Sequence, residues 1–248
     1  MHNNIKSYAD RRLQNEVEHA IHLLRHGPGE LWGWEGEAGR TRLKRRVNML
    51  TSHISAGMKV LEIGCGIGYF TTELAKTGAG VTAIDISPDL LAEAKKNIKS
   101  ENVIFKEENA YALSFAANSF DSIIGSSVLH HLDIEKAIAE FHRVLKVGGS
   151  VYFTEPNMVN PQLILQKNVP FLRRMAGESP DETALCRWKI LKILSSAGFR
   201  RVSVQPFDFL HPKTPRALIG CVVWLGNVLE KIPLVSEVSG SLYIKGYK

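Results

Sequence analysis

Cysteine is scarce in this sequence. Its three copies, Cys65, Cys186 and Cys221, lie far apart and form no CxxC pair. That argues against a disulfide framework and a zinc site, and fits a reducing, cytoplasmic compartment. The opening MHNNIKSYADRR has no apolar core behind a charged start, so no signal peptide is expected. Internal repeats and low-complexity tracts are missing as well. One apolar stretch, RALIGCVVWLGNVLEKIPL, ends in charge and is too short to cross a bilayer, which takes ~20 residues. No GK[ST] follows any glycine loop, which excludes a Walker phosphate loop.

What is present suits one α/β domain with elaborations: 248 residues, 44% of them apolar. The net charge of +6 permits an anionic partner such as nucleic acid, acidic lipid or a phosphorylated substrate. The competing reading is an ordinary surface, because basic and acidic residues are mostly interleaved. The densest basic cluster, GRTRLKRRVNML, spaces Leu43, Val47 and Leu50 three and four apart. That spacing predicts an amphipathic helix with Arg40, Arg42, Lys44, Arg45 and Arg46 on a charged outer face.

From residue 58 strand and helix patterns alternate. Strands are expected at Lys59–Ile63, Gly80–Ile84, Asn102–Lys106, Asp121–Gly125 and Ser150–Thr154, with later ones at Phe199–Val204 and Ser241–Tyr247. Helices are expected at Tyr69–Lys76, after Ser87-Pro88 as N-cap and first helical residue, after Asp133, and near Thr183–Ala197. Gly148-Gly149 is expected to close the helix that follows Asp133. The pattern predicts an α/β fold, a doubly wound, Rossmann-like, seven-stranded and mostly parallel sheet. A helical N-terminal lid segment (1–54) would precede the core (55–155). The remainder (156–248) would complete the sheet and carry cap insertions, all within one structural domain.

The stretch VLEIGCGIGYFT places Gly64, Gly66 and Gly68 between the first strand and a helix. A dinucleotide loop reads GxGxxG, and its third glycine would fall where Tyr69 stands. Alone, such a turn is also compatible with no ligand at all. Asp85 closes the second strand about 20 residues on, where a carboxylate can accept both hydroxyls of a ribose. The other reading, a helix-capping acid, is weakened because Ser87 already supplies the cap.

With VLEIGCGIGYFT, AIDIS, ENAYALSFAANSFDSIIGSSVLHHL and HRVLKVGG in this order, the chain resembles the class I S-adenosylmethionine-dependent methyltransferases. It is most similar to the small-molecule, type 11-like group, over about residues 55–155. The resemblance implies S-adenosyl-L-methionine as cofactor and S-adenosyl-L-homocysteine as product. Gly64, Cys65, Gly66 and Gly68 would hold its amino-acid end, with Glu62 on the ammonium side. Asp85 would hold the ribose, and Ile86 would pack on the adenine. The family usually carries Asp after the third strand; here Asn109 and Ala110 stand there, and an amide oxygen can accept the same bond. Ser126 would lie beside the methionine moiety.

A general base matters when the nucleophile is a hydroxyl or amine. His130 and His131 at the sheet's C-terminal edge, and Glu155 after the fifth strand, are the candidates, with His131 marginally preferred. The histidines could equally form a structural turn, and Glu155 could anchor the loop that follows it. The acceptor narrows by absence. The fourth strand is followed by GSSV, without the [DN]PP[YFW] tetrapeptide of amino-directed nucleic-acid and glutamine enzymes. No cysteine is placed for C5-pyrimidine chemistry, and no aromatic and basic single-strand platform is visible. Nucleic acid is disfavoured. A small-molecule or lipid-linked acceptor methylated at oxygen is expected; a non-catalytic cofactor-binding scaffold is the alternative, and a dehydrogenase a distant third. Acceptor recognition is expected from HGPGELWGWEGEAG with Trp32 and Trp34, from Pro156–Pro180, and from Ala217–Leu229. Residues 213–235 could touch a membrane surface, with Lys213, Arg216 and Lys231 near headgroups, or form a cap helix packed on the core. Oligomeric state stays open.

Overall fold

The computed structural model describes residues 12–21, 24, 25, 27, 29, 33–168, 171 and 185–248. Seven strands form one sheet: β1 (Lys59–Ile63), β2 (Gly80–Asp85), β3 (Val103–Glu107), β4 (Phe120–Ser126), β5 (Leu145–Pro156), β6 (Arg200–Phe207) and β7 (Ser241–Tyr247). Their order is β3-β2-β1-β4-β5-β7-β6. The first five strands run parallel; β7 runs antiparallel between β5 and β6. The order reverses beside β1, between β2 and β4, and ligands in open α/β sheets bind at such a point.

Helices cover both faces: α1 (Glu37–Thr51), α2 (Tyr69–Ala75), α3 (Pro88–Asn97), α4 (Ile134–Val144), α5 (Pro161–Asn168), α6 (Arg187–Ser196) and α7 (Ile219–Leu229). Residues 12–21 are helical too. Local sequence explains several boundaries. Ser87 accepts the Leu90 amide at 3.3 Å, and Pro88, which needs no amide partner, opens α3. Asp133 occupies the N-cap of α4, but its carboxylate pairs with Lys136 at 2.8 Å instead of capping an amide. Helix α4 buries Ile134, Ala137, Ile138, Phe141 and Val144, one stripe at helical spacing. Phe141 stacks on Phe153 of β5 at 5.8 Å, and truncating such a ring costs about 3–5 kcal/mol.

Three expectations need correction. Gly148-Gly149 does not close α4. The helix ends at Val144, Leu145 is already extended and pairs with Phe120, and both glycines lie inside β5. Gly148, at φ +80, sits where the register slips between Phe120 and Ser122, so the pair serves an irregular strand start. The basic face of α1 does not simply face water. Arg46 is buried against Asp208 (2.8 Å), Arg42 reaches the same carboxylate (2.9 Å), and Arg45 grips Glu230. Acceptors far along the chain pull these side chains inward. The helix expected from Thr183 starts at Arg187, with Thr183 itself outside the described residues.

Candidate active site

A cavity of about 340 Å³ opens over the C-terminal ends of β1, β2 and β4. Gly64, Cys65, Gly66, Asp85, Ile86, Ala110, Ser126 and His131 all line it. Glu62, Gly68, Asn109, His130 and Glu155 do not line it.

The glycine loop is held by the strands it joins. The Cys65 amide donates to the Ile84 carbonyl, and the Gly68 amide to the Cys65 carbonyl, both at 2.9 Å. Gly64 has φ +64, and a Cβ there would lie 2.5 Å from the Val128 side chain, so only glycine lets the loop pass. Asp85 ties this loop to the next: one carboxylate oxygen accepts the Gly66 amide at 2.9 Å, the other the Ser87 amide at 3.0 Å. Burial raises its pKa, while the amides of Ser87, Gly66 and Ile86 oppose that rise. Acceptor capacity remains on the carboxylate for a further donor.

Glu62 is turned away, behind the loop, where its carboxyl accepts the Thr71 hydroxyl at 2.7 Å. Burial pushes its pKa up to about 8, and the charge of Asp85 adds to the rise against the Thr71 bond. Near neutral pH it is largely an uncharged acid, suited to fixing α2 on β1. Burial also holds the Cys65 thiol well above its ordinary value, so Cys65 presents a small apolar wall. Asn109 spends its side-chain oxygen on the Tyr111 amide (2.9 Å). Its neighbours Glu108 and Ala110 face the cavity instead. Burial works to raise the pKa of Glu108, but Lys106 and two bonds from Ser114 outweigh it, and the net shift is downward.

Past β4 the chain turns sharply. Ser126 and Thr154 hydroxyls meet at 2.8 Å, and Ser127 adopts φ +54, a strained value for a residue with a side chain. The turn Leu129–His131 is pinned from below by Glu155. One oxygen accepts the amides of Val128 and Leu129 at 2.9 Å each, and the other meets His130 Nδ1 at 2.7 Å. From above, Arg12 donates to the carbonyls of His131 (2.7 Å) and His130 (3.3 Å). His131 Nδ1 lies 3.1 Å from a Glu16 carboxylate oxygen.

Several lining residues had no signal in the sequence. Arg12, Glu16 and His19 come from helix 12–21, whose polar stripe reads as an ordinary wet face. Arg42, Arg46, Trp34 and Ser241 close the far wall, with both guanidinium groups over the Trp34 ring at 5.6 and 5.4 Å. Burial, with the charge of Arg42, lowers the Arg46 pKa to about 10, so Arg46 stays charged at neutral pH. Trp34, expected to take part in a lid, lines the cavity; Trp32 lies outside the described residues. Among the described residues no group of His, Cys, Asp and Glu could hold a metal, and no helix is long and apolar enough to cross a membrane.

Comparisons with known proteins agree with this architecture. Residues 61–153 match the family described as a methyltransferase domain. Over 171 residues the chain is 35% identical to a demethylmenaquinone methyltransferase of Chlorobaculum parvum, covering 61% of this chain and 69% of that one. Over 174 residues it is 30% identical to a ubiquinone biosynthesis O-methyltransferase of Methylococcus capsulatus, covering 65% and 73%. A Thermotoga maritima structure, titled a methyltransferase and possible histamine N-methyltransferase, superposes with TM-score 0.66 at 17% identity. That match covers 92% of this chain and 99% of the other, and at this identity it speaks for the fold. The chain belongs to the class I S-adenosylmethionine-dependent methyltransferases.

Its cofactor is S-adenosylmethionine. The cavity fits that molecule: a left-handed glycine turn with no room for a side chain at Gly64, a carboxylate with remaining acceptor capacity at Asp85, and apolar Ile86, Leu90 and Ala110 nearby. The volume falls within the range of small-molecule sites, about 300–1,000 Å³.

Proposed function

We propose that this methyltransferase acts on a hydroxyl oxygen of a small, lipid-linked acceptor, with His131 as general base. The observation that carries the reading is the division of labour between the paired histidines. His130 is sealed against Glu155 beneath the turn, whereas His131 lines the cavity. The Nδ1 of His131 lies 3.1 Å from a Glu16 carboxylate oxygen, so the ring that borders the cavity is oriented by a carboxylate, and an imidazole can take a proton near neutral pH.

In this reading Gly64, Cys65 and Gly66 receive the amino-acid end of the cofactor, and Asp85 accepts from the ribose hydroxyls. Ile86 and Ala110 flank the adenine, with Glu108 beside them in place of the expected Asn109. When bound, the cofactor would supply a sulfonium methyl group, passed in line to the acceptor oxygen with the sulfur leaving as a neutral thioether. His131 removes the hydroxyl proton as the new bond forms, and Ser126 borders the point of transfer. Helix 12–21 and Trp34 exclude water from above. The relatives named for demethylmenaquinone and ubiquinone chemistry support a ring acceptor of that class. The lipid-linked part also draws on the apolar surface of residues 213–235, through which the enzyme would work at a membrane face.

The test uses a hydroxylated quinone with a short isoprenoid tail and a ¹³C-methyl donor. The expected product shows the carbon shift of an aryl methyl ether. His131→Ala slows transfer ~10²–10⁴-fold while cofactor affinity by calorimetry is kept. A ring-carbon methyl in the product overturns the oxygen assignment, and an unaltered rate removes His131 as base.

A further inference from the structure

Helix α7 is apolar on both sides. Its inner positions, Ile219, Val222, Val223, Gly226 and Leu229, are covered to different degrees by the body of the protein. At 3.6 residues per turn the opposite stripe, about 100° wide, holds Cys221, Trp224, Leu225 and Val228 and continues to Ile232. All five are exposed, Trp224 by 68%, and Leu234 just beyond by 83%. A helix apolar all round is normally buried, yet among the described residues nothing covers this stripe. The helix contains no charged residue at all.

Cations flank it. Lys213 and Arg216 precede α7 and Lys231 follows it, all exposed. Arg216 pairs with Glu37 at 3.0 Å, and no ion pair is formed by Lys213 or Lys231 among the described residues. The acid nearest the helix, Glu230, is occupied by Arg45. Apolar side chains bordered by unneutralised lysines match the boundary of a bilayer with anionic headgroups. At ~1.5 Å per residue α7 is far shorter than the ~30 Å hydrocarbon core, so it would lie in the interface plane.

The insert that carries α7 is joined to the cavity. Its ends meet where the Gly240 amide donates to the Asp208 carbonyl at 2.8 Å; Gly240 and Ser241 line the cavity, and Asp208 is clamped by Arg42 and Arg46. Helix α5 is tied to the same insert, with Asn160 donating to the Val238 carbonyl (2.7 Å) and Gln162 meeting His211 (2.8 Å). On α5, Leu163 faces the cavity while Ile164 and Leu165 are exposed.

We infer that α7 and the turn after it form a docking surface for an anionic lipid bilayer, beside the mouth through which a lipophilic acceptor enters. This rests on the proposed lipid-linked acceptor, but its test needs no acceptor. The full chain is sedimented with phosphatidylcholine vesicles, with and without phosphatidylglycerol. It is expected to pellet with the anionic vesicles and to be released by salt. The Trp224→Glu/Leu225→Glu variant should lower vesicle partition about tenfold or more. Lys213→Glu/Lys231→Glu should lower it less, and both variants should keep cofactor affinity by calorimetry.

Failure to pellet with anionic vesicles, or pelleting unchanged by the double glutamate variant, overturns the inference. So does a dimer seen by light scattering without lipid and abolished by that variant, since a second copy would then be the occupant. Vesicle binding without transfer to any lipophilic hydroxyl would instead overturn the acceptor reading and leave the surface standing.

Discussion

His130 and Glu155 form a buried pair, Nδ1 to Oε2 at 2.7 Å, beneath the turn that carries His131. The second oxygen of Glu155 holds the amides of Val128 and Leu129, so one carboxylate satisfies three donors at once. Glu155→Ala strands those donors away from water, at ~1–3 kcal/mol for each one left unmade. The expected result is a loss of a few kcal/mol in urea unfolding, with methyl transfer weakened through the displaced turn. Full stability with abolished transfer would show that Glu155 acts on the reacting atoms instead.

Asp85 joins the glycine loop to the turn after β2 and offers its remaining acceptor capacity to the cavity. Asp85→Ala is expected to weaken S-adenosylmethionine binding by ~1.5–3 kcal/mol through lost charge-assisted bonds. Calorimetry against adenosine as well as the full cofactor locates the effect. Equal affinities in both proteins would falsify the ribose assignment.

Glu62 carries a pH signature. Its folded pKa of about 8 lies above its ordinary 4.5, so the folded state holds a proton that the unfolded chain releases. The neutral acid costs nothing below about 4.5; stability then falls as pH rises toward 8, where the folded state ionises too. Glu62→Gln keeps a neutral partner for Thr71 and removes that decline. The variant should be level with the parent near pH 4.5 and more stable by a few kcal/mol near pH 8. Parallel stability curves for the two proteins across that window would dismiss the raised pKa.

The parallel strands were legible because their information is local: Lys59–Ile63 reads as a buried strand without any knowledge of its neighbours, and Ser87-Pro88 caps its own helix. Features that depend on distant partners were not. Arg42 and Arg46 look solvated until Asp208 is folded beside them, and Glu16 meets His131 only once helix 12–21 docks. A single-residue difference separates Asn109, which turns back on its own loop, from Glu108 and Ala110, which face the cavity. Strand alternation cannot resolve a step that small where the strand has already ended. Helix α7 left two readings open, a cap packed on the core or a helix facing a membrane surface, because its apolar residues run all round; half of them face outward.

The bond between Asp208 and Gly240 brings the two ends of a long excursion together at the end of a β6–β7 hairpin. Whatever lies between them can lengthen, shorten or be exchanged with little entropic cost to the sheet, since closure entropy grows only slowly with loop length. With the acceptor and the bilayer received by this insert as proposed, rewriting one exchangeable module would retune what the enzyme modifies and where it works. The donor half of the chemistry stays untouched on the other side of the cavity.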